Sequence, residues 1–178
     1  NMIFLNTGDR FTALALPAEA QWSPAFGIAA ADFDGDGNHD LALAQNFFHV
    51  EPTLSRYDAG RGLLLLGDGT GKFKALTGNE SGLRFYGEQR AIALADFNQD
   101  NRIDLALTES HGPIHLLENM SAKRGVRVTL VGSETNPNAI GASIRLGSTG
   151  QWGPVTAIKS NNGYWSQDSH HAVLFGPN

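Results

Sequence analysis

Over the first 120 residues, large and small apolar positions alternate between polar breaks. Gly27-Ile28-Ala29-Ala30-Ala31 and Leu41-Ala42-Leu43-Ala44 flank the polar run of residues 32–40. A period of two marks a strand with its large residues on one face, so residues 27–46 are predicted to form a β-hairpin. The same flanks return 64 residues later, as Ile92-Ala93-Leu94-Ala95 and Leu105-Ala106-Leu107 around residues 96–104. That predicts a second hairpin over residues 90–110. Weaker echoes frame the pair. Met2-Ile3-Phe4-Leu5 and Leu64-Leu65-Leu66 each run into a Gly/Asp turn and then a strand opening at Phe11 or Phe73. Pro113-Ile114-His115-Leu116-Leu117 opens a third such unit.

Repetition at this period points to propeller blades or a related array. Each blade is a small antiparallel sheet that cannot bury both faces alone. Residues 1–16 are then two strands of one blade, and residues 62–77 two strands of the next. Residues 17–24 are a linker whose Trp22 is expected against the blade edge, and residues 78–89 are a polar, Gly-rich connection. The insertion at residues 47–61 is long for a blade turn, and long loops are often functional. Its His49, Glu51 and Asp58 allow a metal or acid–base reading, but a surface loop anchored by Phe47, Phe48 and Tyr57 explains it more simply. With about one complete blade and two partial ones, the chain is expected to be a piece of a longer protein.

The pattern changes after Asn119. Ser121-Ala122-Lys123-Arg124-Gly125 is a basic linker, and strands are predicted at residues 126–131, 140–146, 155–159 and 172–176. Turns fall at Asn136-Pro137-Asn138 and residues 150–153. The expected result is a small antiparallel sandwich or barrel of short strands. The whole chain is therefore read as all-β: a partial propeller over residues 1–120, then a separate β domain over residues 121–178.

The loop of the first hairpin carries the clearest chemistry. Asp32, Asp34, Asp36 and Asp40 hold positions 1, 3, 5 and 9, Gly37 permits a sharp turn at position 6, and Asn38 offers a backbone carbonyl at position 7. Hard cations such as calcium take 6–8 oxygens in such arrangements. Carboxylates this close repel one another unless a cation lies among them. A helix–loop–helix site is excluded, because position 12 is Leu43 instead of a bidentate glutamate and a strand follows. The second loop offers Asp96, Asn98, Asp100 and Asp104, with the Arg102 carbonyl at position 7. It has one charge fewer, and Asn101 stands where the first loop has glycine. Asparagine tolerates the left-handed conformation. Two calcium sites are expected, the second weaker.

These loop-and-strand pairs resemble FG-GAP/VCBS repeats, the calcium-loop blades of integrin-alpha-like β-propellers. The resemblance covers roughly residues 1–120 and implies the ligands Asp32, Asp34, Asp36, Asn38 (backbone) and Asp40, then Asp96, Asn98, Asp100, Arg102 (backbone) and Asp104. The remainder is similar to the ASPIC/UnbV domain at Leu130-Val131-Gly132, Asn136, Ile140-Gly141-Ala142, Gly163-Tyr164-Trp165-Ser166-Gln167 and Leu174-Phe175-Gly176. That domain commonly follows VCBS repeats in secreted proteins.

The net charge of −5 does not change this picture. Seven of the 18 acidic residues lie in the two loops, and two divalent ions would bring −5 to about −1. The acidity is largely internal cation chemistry and argues against a nucleic-acid partner. With no cysteine, disulfides and thiolate metal sites are excluded. No apolar run reaches the ~18 residues of a membrane span. Gly67-Asp68-Gly69-Thr70-Gly71-Lys72 lacks the spacing and the following helix of a phosphate loop.

Ser166, Asp168, His170 and His171 invite a triad reading, but neighbours on an extended segment point in different directions, and a triad needs an oxyanion hole as well. His170 and His171 are expected on an exposed turn, and Tyr164 and Trp165 as packing aromatics. The expectation is a non-enzymatic, calcium-binding module of an exported protein, extracellular, cell-surface or periplasmic. It would act in adhesion or in protein or carbohydrate binding, with other blades of the same parent as further partners. The alternative is part of an enzyme, or an accessory subunit, whose active site lies in blades outside this chain.

Overall fold

A computed structural model describes residues 1–163 and 165–177. It is all-β with antiparallel pairing throughout. β1 (Met2–Asn6) and β2 (Phe11–Ala15) form a hairpin, followed by a 3-10 turn at Ala18–Ala20. β3 (Ala25–Ala31), β4 (Asp40–Gln45), β5 (Leu63–Gly67) and β6 (Phe73–Ala75) form a four-stranded meander. β7 (Gln89–Ala95), β8 (Asp104–Glu109) and β9 (Ile114–Leu117) form a three-stranded one. Both predicted hairpins are present, with Ile28 opposite Leu43 and Ile92 opposite Leu107.

The large/small alternation explains how the sheets stack. On β4, Leu43 joins Leu16, Ala20, Leu63 and Leu65 in one core, with Leu41 packed against it. Its alanines, Ala42 and Ala44, turn the other way with Ala29 and Ala31 of β3. There they meet Ile92, Leu105 and Leu107 of the next sheet. Small residues on one sheet thus admit large ones from the other, as close packing of two sheets requires. Gly27 lies in this seam, where a Cβ would come within 3.0 Å of the Arg90 carbonyl oxygen and the Ile92 side chain.

Some readings need correction. Trp22, expected against a blade edge, is more open than that, at 53% exposed. The connection after β6 contains one helical turn, α1 (Gly78–Ser81), closed by a capping box between Thr77 and Glu80 and ended by left-handed Gly82. The Thr-x-x-Glu signal was present, but a run this short carries no helical periodicity.

The C-terminal strands are more fragmented than predicted. β10 (Val126–Thr129) pairs with β15 (His171–Leu174), β11 (Ser143–Ile144) with β14 (Thr156–Ala157), and β12 (Gly147–Ser148) with β13 (Gln151–Trp152). Among the described residues these ladders form no closed barrel. Residues 140 and 141 are turn and 142 lies outside any strand, where a strand was expected. β15 serves two cores. Ala172 and Leu174 pack with Ile158, while Val173 and the following Phe175 enter the blade core beside Phe33 and Ile103. The expected packing role of Trp165 is not met, since it is 82% exposed. Tyr164 lies outside the described residues.

Candidate metal centre

The first loop is shaped by its own carboxylates. Asp32 Oδ1 accepts the N–H groups of Gly35 (2.7 Å) and Asp36 (3.1 Å), and its Oδ2 accepts that of Gly37 (2.8 Å). Asp34 accepts from the Asp36 N–H, and Asp36 from the Asn38 N–H. These steps curl the chain back on itself, with Gly35 and Gly37 at φ +77° and +87°. Asp40 closes the loop. Its Oδ2 accepts the Phe33 N–H (2.7 Å) and its Oδ1 the Gly67 N–H at the end of β5 (2.8 Å).

This folding brings Asp32, Asp34 and Asp40 together, with one carboxylate oxygen of each within 4.8 Å of the others. Among the described residues it is the only group of three or more such side chains this close. Asp32 is 2% exposed and Asp40 fully buried. Burial pushes the Asp40 carboxyl up to about 6, with the charges of Asp34 and Asp32 adding to the rise and two N–H bonds opposing it. Burial likewise raises Asp32, and Asp34 adds to it. Asp36 stands apart from the cluster, its carboxylate held by the Asn38 side-chain amide at 3.0 Å. The set is oxygen-only and acidic, the donor chemistry of a hard cation.

The second loop repeats the backbone design. Asp96 accepts from Asp100 and Asn101, Asn98 from Asp100, and Asp100 from Arg102. Asp104 accepts from Phe97 (3.2 Å) and Asn119 (2.8 Å). Asn101 takes the left-handed conformation at φ +67°, as anticipated, and Gln99 does so at φ +61°, which the pattern did not reveal. The electrostatics differ. The Arg102 guanidinium bonds Asp100 Oδ2 at 2.7 Å, and Arg127 lies 3.8 Å from Asp96 Oδ2. Against some burial, the bonds from Arg102 hold the Asp100 carboxyl below its usual range. Burial raises that of Asp104.

Ser166 and Asp168 have structural work. The Ile92 N–H donates to Ser166 Oγ (3.1 Å), the Leu94 N–H to Asp168 Oδ1 (2.9 Å), and the Ser169 N–H to the Leu94 carbonyl (2.8 Å). Residues 166–169 therefore cover the edge of β7 that β8 leaves open. Of the two histidines, His171 Nδ1 lies 2.7 Å from Thr129 Oγ1 and His170 Nε2 lies 3.3 Å from the Gln167 side-chain nitrogen. Between the ends of β3 and β7 and the strands β14 and β15 lies a cleft of about 160 Å³, bordered by Asp32, Asp96, His39, Lys159 and Asp168. Burial, and then the neighbouring Lys159 charge, lowers the His39 imidazole.

A second feature escaped sequence reading. Asn46 is fully buried at φ +86°, precedes the 47–61 insertion and ties down its far end and the 86–87 segment beside it. Its Oδ1 accepts the Gly60 N–H (2.8 Å), and its Nδ2 donates to the Gly60 and Gly87 carbonyls (3.0 and 3.1 Å). A compact, side-chain-closed loop of this length is an Ω-loop. Glu51 and Asp58 do not join His49 in a close carboxylate–histidine cluster.

No family model matches the chain, and no curated protein matches it. Among the described residues, no helix is long and apolar enough to cross a membrane.

Proposed function

We propose that this chain is a cation-clamped, non-enzymatic binding module built from FG-GAP/VCBS-type propeller blades and an ASPIC/UnbV-like C-terminal segment. The observation that carries it is the gathering of Asp32, Asp34 and Asp40 in a loop whose carboxyls are strained by burial and mutual repulsion. A divalent cation removes that repulsion. Calcium fits best, because the loop is an irregular all-oxygen set and octahedral magnesium keeps more of its water. Asp36 and the Asn38 carbonyl complete the first set.

Asp96, Asn98, Asp100, Asp104 and the Arg102 carbonyl form the second set. It is weaker, because Arg102 and Arg127 already neutralise part of its charge. At a calcium concentration tenfold above the dissociation constant, each ion adds about 1.4 kcal/mol of stability. Loops of modest affinity fill where calcium is near millimolar, which favours an extracellular, cell-surface or periplasmic setting.

The ordered insertion at residues 47–61 is the surface best suited to a protein or carbohydrate partner, with its exposed Leu54 and Tyr57. Calorimetric titration with calcium tests the clamp, with two unequal sites expected and the tighter one lost in Asp34→Ala. Glycan and protein panels test the surface. Binding that disappears on deleting residues 47–60 supports it, and a clean negative with the calcium-loaded protein refutes it.

A further inference from the structure

We propose that His49 and His111 form a transition-metal site, separate from the acidic loops, for a borderline ion such as Zn²⁺, Ni²⁺ or Cu²⁺. The register of β7 and β8 creates it. Gln89 pairs with Glu109, and one step on the Ser110 N–H donates to the Glu88 carbonyl (2.7 Å). That brings His111, at the tip of the β8–β9 turn, beside Glu88. His49 arrives from the start of the 47–61 insertion. The two rings lie 6.0 Å apart, centre to centre, with 39° between their planes.

Glu88 sets the state of His49. Its side chain is 2% exposed and fixed by the Arg90 guanidinium (2.6 Å) and the Phe48 N–H (2.8 Å). Both carboxylate oxygens meet His49 Nδ1, at 3.0 and 3.2 Å. With Nδ1 turned to the carboxylate, Nε2 is the nitrogen that faces away from it, where a metal would displace any proton. This is the carboxylate–histidine arrangement that orients metal ligands. His111 has Nδ1 engaged by Ser110 Oγ at 3.1 Å, so Nε2 is its outward nitrogen. It sits at φ +56°, in the left-handed region that histidine, like asparagine, enters more readily than most residues.

Two imidazoles on one tetrahedral ion, with metal–nitrogen bonds of about 2.0–2.1 Å, have ring centres roughly 5 Å apart. The ring centres must approach by about 1 Å and both Nε2 atoms must turn toward the ion, rotations open to two exposed side chains. Neutral imidazoles select Zn²⁺, Ni²⁺ and Cu²⁺ over calcium, so this site and the acidic loops take different ions. No third His, Asp or Glu among the described residues completes the set. Positions therefore remain open for water or for a carboxylate or imidazole of a bound partner, beside the insertion.

Zinc titration of the full chain by calorimetry in excess calcium tests this. One saturable site is expected. His111→Asn keeps a residue that accepts the left-handed backbone, so it leaves the melting temperature unchanged and lowers zinc affinity roughly tenfold or more. His49→Asn also lowers zinc affinity roughly tenfold or more, with some loss of stability because His49 contacts buried Glu88, and Glu88→Gln weakens binding about 10–100-fold. Loading with Cu²⁺ should give an electron paramagnetic resonance spectrum with two nitrogen ligands. Asp32→Ala retains the zinc site, which separates this proposal from the calcium reading. The proposal is overturned if zinc shows no saturable binding. It is equally overturned if His111→Asn leaves the isotherm unchanged, or if binding instead follows substitution of His170 and His171.

Discussion

The Gly67 N–H donates to Asp40 Oδ1 at 2.8 Å, tying the third strand of a sheet to the last acid of the loop between its first two. Asn119 donates to Asp104 in the same way, also at 2.8 Å. One carboxylate in each copy thus faces the ion loop and the next strand together. Under the proposed clamp, its ionisation would couple cation binding to the sheet.

Asp40 gives the first prediction its sign. Its folded-state carboxyl titrates near 6, above the ordinary 3.8. The folded, cation-free protein therefore holds a proton that the unfolded chain releases, and it loses stability as pH rises from about 4 to 6. The full difference is on the order of 3 kcal/mol. Calcium requires the ionised form, so its affinity falls as pH drops below about 6. Chemical denaturation at pH 4, 5, 6 and 7, with calcium and with chelator, should show the two curves diverging as pH rises.

Glu88 titrates in the opposite sense. Burial alone would raise its carboxyl, but the Phe48 N–H, His49 and Arg90 together hold it at about 2. A depressed acid stabilises the fold above its unfolded value of 4.5, and that stability is lost as pH falls from about 4.5 toward 2. Glu88→Gln removes the anion from half-buried Arg90, which keeps only the Asn46 carbonyl and the Phe26 and Phe47 rings, and should cost about 1–3 kcal/mol at pH 7. It should also flatten the acid limb of a stability–pH curve.

Ser166 and Asp168 cover the open edge of β7. Ser166→Ala or Asp168→Ala leaves a buried N–H without its acceptor, and each should cost about 1–3 kcal/mol. Hydrogen exchange should locate the effect, with the Ile92 amide losing protection in the first variant and that of Leu94 in the second. Unchanged exchange at both would mean that residues 166–169 do not hold this edge.

Much of this was legible in the sequence. The alternation of large and small residues named both hairpins, and the loop spacing named the acids that gather. The partners of Asp40 and Asp104 were hidden by spacing. They lie 27 and 15 residues downstream, because the 47–61 insertion lengthens only the first copy. Asn46 reads as one more polar residue after a strand, and only burial reveals it as the neck of that insertion. Arg102 was read for its carbonyl, yet its side chain holds Asp100. Short C-terminal ladders defeated pattern reading, because two-residue strands carry no periodicity.

The central claim is that a cation among Asp32, Asp34 and Asp40 clamps the fold. A thermal melt in excess calcium and in chelator, with Asp32→Ala beside the parent, tests it most directly. The account predicts a melting temperature several degrees higher in calcium for the parent, consistent with about 1–2 kcal/mol per occupied site. It predicts a smaller rise in Asp32→Ala, from the second loop alone. Identical melts for the parent with and without calcium would contradict it.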